Sequence, residues 1–547
     1  MSTLETAAPP AGPAPGGSPV PGPRDPRSGA RRRYLVPAVP AAVTLAVCLA
    51  GLSGPSYWID EAATISMTQR SLPDFWRTVD HLDVVHALYY LLLRPWAAVF
   101  GTGEVALRFP SAAAMALAAA VVALLGRRCA SPAVGMFAGL AFGCSVTVTR
   151  YAQDARPFAM VVLVVAASTY LFVRMTQERR RLWRWSAGYA AGLVLVCLFN
   201  VFALMVVAAH AVTLLWLHRA GRVERRDLVR WAVSAGTAGL LLAPFAYKAR
   251  HQSGQVVIIP LGMGDELWQF LVFLAGGQWL VPVVAVLAVL GATAPVARTA
   301  AAPVARSGAG AGDRRPGPSL LMVAVPWLLI PPALLLAANA FDSIFRPRYV
   351  LFCLPALALL VGAGLAWLGG VRRELLAGAL AVAVAAALPA HLAIREQGER
   401  NDDLRAAADV LREHARPGDA VLFLTPDLRW RAQAYPDAFE GLHDVMLGRT
   451  GPQAANLVGT DISDGPTLRR RLLQSTRVWV MRDSTFVDFP PPDLQWRLRT
   501  LHGTGPYTMR TRWRHAGGNL TLLVRRGSGS TAGWPMPEPR PKGPVRP

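Results

Sequence analysis

The sequence predicts an α-helical polytopic membrane protein of about eleven spans, with a C-terminal α/β domain outside the membrane. Three observations predict it. Of 547 residues, 53% are hydrophobic and only 16% charged, where a soluble chain usually carries about 25% charged residues. Apolar runs of roughly 17–22 residues, long enough to cross a bilayer as a helix, recur between short Arg-rich breaks up to residue 390. Beyond residue 391 the pattern changes to short helices alternating with short strands.

Residues 1–33 are rich in Pro, Gly and Ala and read as a disordered cytosolic tail. Arg31, Arg32 and Arg33 then precede the first apolar run, which reads as an uncleaved anchor. Spans are expected near 34–54, 104–125, 132–149, 157–175, 185–200, 201–217, 230–248, 279–296, 319–338, 349–369 and 374–391. Lipid offers no partners to the backbone, so each must be a helix. The Arg clusters Arg127-Arg128, Arg179 to Arg184, Arg219 to Arg230, the linker 297–317 and Arg372-Arg373 place those breaks in the cytosol. The N-terminus is then inside and the C-terminus outside. Residues 85–100 are apolar but short for a span, and counting them would invert every later cluster. They are read as a helix lying along the outer membrane surface, within an outer loop from about 55 to 103. A loop that long is usually functional.

The domain at 392–526 opens with a helix over 401–414, its stripe made by Leu404, Ala407, Val410 and Leu411. A strand follows at Ala420 to Leu424, then a helix at 466–474 and strands at Arg477 to Met481 and Leu520 to Val524. Residues 527–547 return to Pro and Gly and read as disordered.

The net charge of +22 sits largely in the arginines of short loops, where it sets orientation. It is not read as a nucleic-acid footprint. Cys48, Cys129, Cys144, Cys197 and Cys353 show no metal-ligand or pairing spacing.

Polar chemistry gathers on the outer face. Asp60 and Glu61 follow the first span at a helix start, where a carboxylate is either a favourable first-turn acid or a general base just above the bilayer. Asp80, His81, Asp83 and His86, then Tyr89 and Tyr90, enter the surface helix. They can serve a phosphate or metal, or simply anchor an interfacial helix. The turn from Arg150 to Pro157 holds Gln153, Asp154 and Arg156. Its arginines run against the positive-inside trend. Arg346, Arg348 and Tyr349 form a further outer cluster, and Lys248, Arg250 and His251 another. Cations around one outer surface point to an anionic ligand, and the arginine fork suits a phosphate.

Taken together these residues resemble the GT-C superfamily, in the protein O-mannosyltransferase and aminoarabinose transferase branch of bacteria. The matching pieces are Asp60-Glu61, His86 to Tyr90, Ala106 to Ser111 with Arg108, Tyr151 to Pro157, and Arg348-Tyr349, across about 34–390. The resemblance implies a polyprenyl-phosphate sugar donor and inverting transfer of a mannose or other hexose or pentose to a glycan, lipid or protein acceptor. It implies Asp60 as catalytic base, with Glu61 beside it. It places His86, Arg156, Arg348 and Tyr349 at the donor phosphate, with Asp154, Gln153, Tyr89 and Arg108 nearby; Lys248 joins the donor-phosphate candidates from the outer cationic cluster. Asp154 and His86 are the candidates for a divalent metal. The chain departs from the family pattern at Ala87, where Pro is common, at Asp154, where Glu is common, and at Asn200, where His is common.

A transporter or flippase of lipid-linked saccharides is the rival reading. Such proteins place ionisable groups near the middle of their spans; here those groups collect in the outer loops.

Overall fold

The computed structural model describes residues 26–178, 182–252, 262–299, 316–341, 344–400, 402–483 and 495–525. The terminal tails at 1–25 and 526–547, most of the linker 297–317 and Arg179 to Arg181 lie outside the described residues.

Each apolar run that the sequence marks as a span coincides with a helix. Among the described residues, eight helices are long and apolar enough to cross a membrane: Glu104–Cys129, Phe158–Gln177, Leu182–Phe199, Val201–Arg219, Arg225–His251, Leu320–Asn339, Pro347–Val371 and Arg373–Ala393. The number rises to ten if two bent pairs each count as one span. Pro132–Gly143 meets Val146–Ala152 at 58°, and Gly264–Ala275 meets Gln278–Thr293 at 79°. The second bend falls at Gly276 and Gly277, both at positive φ (88° and 157°), a backbone that glycine adopts without a Cβ clash. Tyr34–Leu49 is a shorter apolar helix at the place of the first expected span. The protein is thus a multi-pass membrane protein.

Small residues let these helices approach closely, as they do where lipid removes the hydrophobic drive for association. A Cβ on Gly362 would stand 2.4 Å from the Ala138 backbone nitrogen, and one on Gly291 would stand 1.9 Å from the Leu360 carbonyl oxygen. Pro347–Val371 is the most enclosed of the long helices, while Arg373–Ala393 buries no residue. Arg348 therefore stands at the end of a central, rigidly packed helix.

The stretch read as a surface helix is a 3-10 turn at Val84–His86 running into the helix Ala87–Phe100. At about 1.5 Å per residue, its 14 residues fall short of the bilayer core. Before it, the outer loop folds into the helices Ile59–Gln69 and Leu72–His81.

The C-terminal region contains β1 (Ala420–Phe423), β2 (His443–Asp444), β3 (Leu447–Arg449), β4 (Thr460–Asp461), β5 (Arg477–Arg482), β6 (Tyr507–His515) and β7 (Gly518–Arg525). One sheet has the order β2-β1-β5-β7-β6, and β3 pairs with β4 alone. β1 runs parallel to β2 and β5, whereas β7 is antiparallel to both β5 and β6. The helix Leu404–His414 buries Leu404, Ala407 and Leu411 as its periodicity predicts. β6 and the helix Gln495–Thr504 were not expected. β6 is an edge strand whose arginines Arg510, Arg512 and Arg514 face solvent, a composition that protects an edge but hides the strand pattern.

This region does not pack alone. Tyr57, Ala62, Ala63, Ile65, Leu107 and Ala155 share one buried cluster with Leu404, Val421, Trp430 and Trp479. The helix Ile59–Gln69 is therefore held between the membrane helices and the α/β layer.

Candidate active site

The helix Ile59–Gln69 begins immediately after the loop that leaves the first span, and Asp60 and Glu61 occupy its first turn. Adjacent helical residues point about 100° apart, and the two carboxylates diverge accordingly. Glu61 turns inward. Its two oxygens accept from Nε and Nη2 of Arg108, both at 2.8 Å, and both side chains are completely buried. Arg108 also donates to the carbonyls of Leu52, Pro55 and Ser56. Glu61 and Arg108 thus close off the end of the first span. The pair faces the protein interior, so the structure does not bring Glu61 and Arg108, both expected at the site, to the outward side that Asp60 presents.

Asp60 turns outward, with its side chain 30% exposed. Its Oδ2 lies 4.0 Å from Arg156 Nε and 3.9 Å from Arg348 Nη1. Nε of each arginine is buried and lacks a hydrogen-bond partner. Two cations from distant parts of the chain thus meet one carboxylate and keep unused N–H capacity.

Arg156 is fixed by what surrounds its turn. Ala155 N donates to Glu61 Oε1 at 2.9 Å, Thr64 Oγ1 to Ala155 O at 3.0 Å, and Ser111 Oγ to Asp154 O at 2.7 Å. Gln153 Nε2 donates to Ala50 O at 3.2 Å. The buried Glu61–Arg108 pair therefore positions the Arg156 turn as well as the first helix. Arg156 itself donates to the Asp60 carbonyl (3.3 Å) and the Tyr90 hydroxyl (3.2 Å), and its Nη2 lies 3.0 Å from His86 Nε2. Arginine can only donate, so His86 Nε2 accepts and the imidazole carries its proton on Nδ1, facing Asp83. Burial opposes the Asp83 carboxylate. His86, Arg156 and the Tyr90 hydroxyl outweigh burial and hold it below its ordinary value.

Asp154 is 1% exposed. Its Oδ1 accepts from Trp58 Nε1 at 2.9 Å, and its Oδ2 has no partner. Burial, reinforced by nearby Glu61, pushes its carboxyl up to about 6 although Arg400, Trp58 and Arg156 favour the charged form. The Trp58 ring is flanked by the guanidinium groups of Arg348 and Arg400, 5.7 and 5.5 Å from its centroid. Tyr349 stacks on Phe202 with centroids 4.8 Å apart, steadying the backbone beside Arg348. Tyr89 is buried next to Ser111.

Lys248 is a second correction. It is exposed and pairs with Asp80, so it ties the helix Arg225–His251 to the outer loop instead of joining the Asp60 cluster. The divalent metal expected at Asp154 and His86 does not fit this donor set. Both nitrogens of His86 are committed, one to Asp83 and one to Arg156. A cation there would press against the Arg156 guanidinium. Among the described residues no three His, Cys, Asp or Glu side chains are grouped to hold a metal.

Trp58, Arg400 and Asp402 were not singled out in the sequence. Arg400 Nη2 donates to the Gln153 carbonyl at 3.3 Å, and Asp402 Oδ2 accepts from Ile59 N at 3.3 Å. Both reach the site from the α/β region, across 247 and 343 positions of chain, and no local pattern marks such contacts.

Comparison with known proteins bears on this arrangement. Residues 87–247 match the family described as dolichyl-phosphate-mannose-protein mannosyltransferase. No curated protein matches the chain. Among solved structures, ArnT from Cupriavidus metallidurans in the apo state is similar over 90% of this chain and 98% of its own, at 14% identity and a TM-score of 0.57. The same protein bound to undecaprenyl phosphate is similar over 90% of this chain and 99% of its own, at 14% identity and a TM-score of 0.54. At that identity the likeness is one of fold. The chain thus shares the fold of the ArnT structures, and the segment that matches the mannosyltransferase family carries Arg108, Asp154 and Arg156.

Proposed function

We propose that the protein transfers a hexose or pentose from a polyprenyl-phosphate donor to a cell-envelope acceptor on the outer face of a bacterial plasma membrane. The acceptor hydroxyl attacks the anomeric carbon with inversion. The new C–O bond forms as the bond to the phosphate oxygen breaks. The hydroxyl proton goes to Asp60, and the electron pair leaves with the polyprenyl phosphate.

The convergence of Arg156 and Arg348 on Asp60 supports this reading most directly. Fixed cations aimed at it stabilise the charge that develops on a leaving phosphate. Their unpartnered Nε–H groups are spare donors for its oxygens. Inversion requires the base and the leaving group on opposite sides of the anomeric carbon. Donor binding therefore has to separate Asp60 from both arginines, exchanging those contacts for phosphate. The ArnT structure bound to undecaprenyl phosphate makes a lipid phosphate a reasonable donor for the shared fold. The remote α/β region and the surface helix enclose the site on the outer side in this reading.

The test is incubation of the purified, detergent-solubilised protein with a panel of polyprenyl-phosphate sugars and envelope fractions as acceptor. Release of polyprenyl phosphate together with labelled acceptor is expected. Vectorial movement of the intact lipid-linked sugar in proteoliposomes, without cleavage, would instead favour the flippase reading.

A further inference from the structure

Asp60 lies in the first turn of a helix whose own N-cap residue cannot cap it. That residue is Trp58, and its side chain makes no capping hydrogen bond. The first amides of a helix need acceptors from outside the helix ladder, and an anion near them is favourable. Here the acceptor comes from far along the chain: Asp402 Oδ2 accepts from the Ile59 backbone N–H at 3.3 Å.

Asp402 is held in place by its surroundings. Its neighbour Asp403 caps the next helix, accepting from Ala406 N, and has a left-handed φ of 27°. The turn between β6 and β7 closes on it from the other side. A Cβ added to Gly517 would stand 1.8 Å from the Asp402 carbonyl oxygen, and Arg431 holds that turn by donating to the Gly517 carbonyl. On either side of Asp402, Arg400 donates to the Gln153 carbonyl and Arg405 to the carbonyls of Ser53, Gly54 and Pro55. Arg405 and Asp402 therefore hold the two ends of the loop that presents Asp60, and Arg400 holds the turn that presents Arg156.

We propose that Asp402 is a positioning residue for Asp60: the α/β region supplies, from far along the same chain, the cap that sets the first turn of the helix bearing the catalytic carboxylate. This rests on the assignment of Asp60 as base. The α/β region then does more than cover the site, because its sheet edge and the Gly517 turn fix the reach of the base.

The experiment measures kcat and donor KM for Asp402→Ala, Asp402→Asn, Gly517→Ala and Asp60→Asn, and for Asp402→Ala combined with Asp60→Asn. Asp402→Ala is expected to lower kcat by about tenfold or more, as a misplaced reacting group does, while donor KM stays near the wild-type value. Asn retains an acceptor oxygen and caps helices well, so Asp402→Asn should keep kcat within about threefold. Gly517→Ala, which presses on Asp402 and leaves Asp60, Arg156 and Arg348 unaltered, should lower kcat in the same sense as Asp402→Ala. In the Asp60→Asn background, Asp402→Ala should add no further loss, the non-additivity of residues acting as one unit. Should Asp402→Ala fold poorly, the Asn and Gly517 variants decide alone. Wild-type kcat in Asp402→Ala or Gly517→Ala, or equal losses in both backgrounds, would overturn the positioning role while leaving Asp60 as base. Full activity in Asp60→Asn would instead overturn the base assignment itself, and the positioning role with it.

Discussion

Glu61 and Arg108 meet through two parallel hydrogen bonds of 2.8 Å, entirely shielded from solvent, one residue away from the exposed Asp60. Two neighbouring carboxylates thus have separate tasks, set by which side of the helix they face. Removing one partner of a buried pair strands the other charge, at a cost of about 3–5 kcal/mol. Arg108→Leu and Glu61→Ala should therefore reduce the yield of monodisperse protein and its apparent melting temperature in detergent. The fraction that folds should keep measurable turnover, with donor KM raised because the Arg156 turn loses its Glu61 acceptor. A variant with normal melting but abolished turnover would return Glu61 to the chemistry.

The phosphate cradle makes a kinetic prediction. Hydrogen bonds to charged groups contribute about 1.5–3 kcal/mol, so Arg348→Ala should raise donor KM and slow transfer by roughly ten- to a hundredfold. Arg156→Lys is the sharper test, because lysine keeps the charge but loses the planar fork that reaches Tyr90, His86 and the Asp60 carbonyl at once. Donor titrations of both variants indistinguishable from wild type would remove the cradle.

Asp154 makes a prediction about pH. Burial raises its carboxyl from 3.8 to about 6, so between those values the folded protein holds a proton that the unfolded chain has released. Stability should then fall as pH rises through that window and level off above it. Asp154→Asn is neutral throughout and can still accept from Trp58, so its melting temperature should vary less over the same range. Identical slopes for wild type and variant would show that Asp154 does not carry this dependence.

Orientation is tested separately. A phosphatase reporter fused after residue 450 should be active, and one fused within 219–229 should be silent. The opposite pattern would place the Asp60 cluster on the cytosolic side.

Sequence pattern and structure agree where a local period decides the outcome. The apolar runs could only become helices in lipid, and the stripe through Leu404, Ala407 and Leu411 could only face a core. The bend at Cys144-Ser145, between Pro132–Gly143 and Val146–Ala152, carries no such signal, because neither residue is a breaker. In the site, Arg156 and Arg348 were legible as cations out of place at the outer membrane face, and Asp60 as an acid at the helix start beyond the first span; the three do converge. Lys248 carried the same signal but found Asp80 instead. A loop cation shows its sign in the sequence, while its partner depends on tertiary packing. The helical offset already set Glu61 apart from Asp60, but its partner Arg108 became visible only in the packed structure. Arg400 and Asp402 were invisible for a different reason: their contacts exist only once the α/β region has docked on the helix Ile59–Gln69.

The central claim is that Asp60 takes the acceptor proton, and Asp60→Asn tests it most directly. Asparagine preserves the size of the side chain and removes its basicity. The measurement is sugar transfer from a polyprenyl-phosphate donor in purified membranes with expression matched. The account predicts normal insertion and folding, and a loss of turnover of at least about 10²-fold, the scale of a positioned general base. Turnover close to wild type would contradict it, and would leave Asp60 as a first-turn acid that does no more than anchor two arginines.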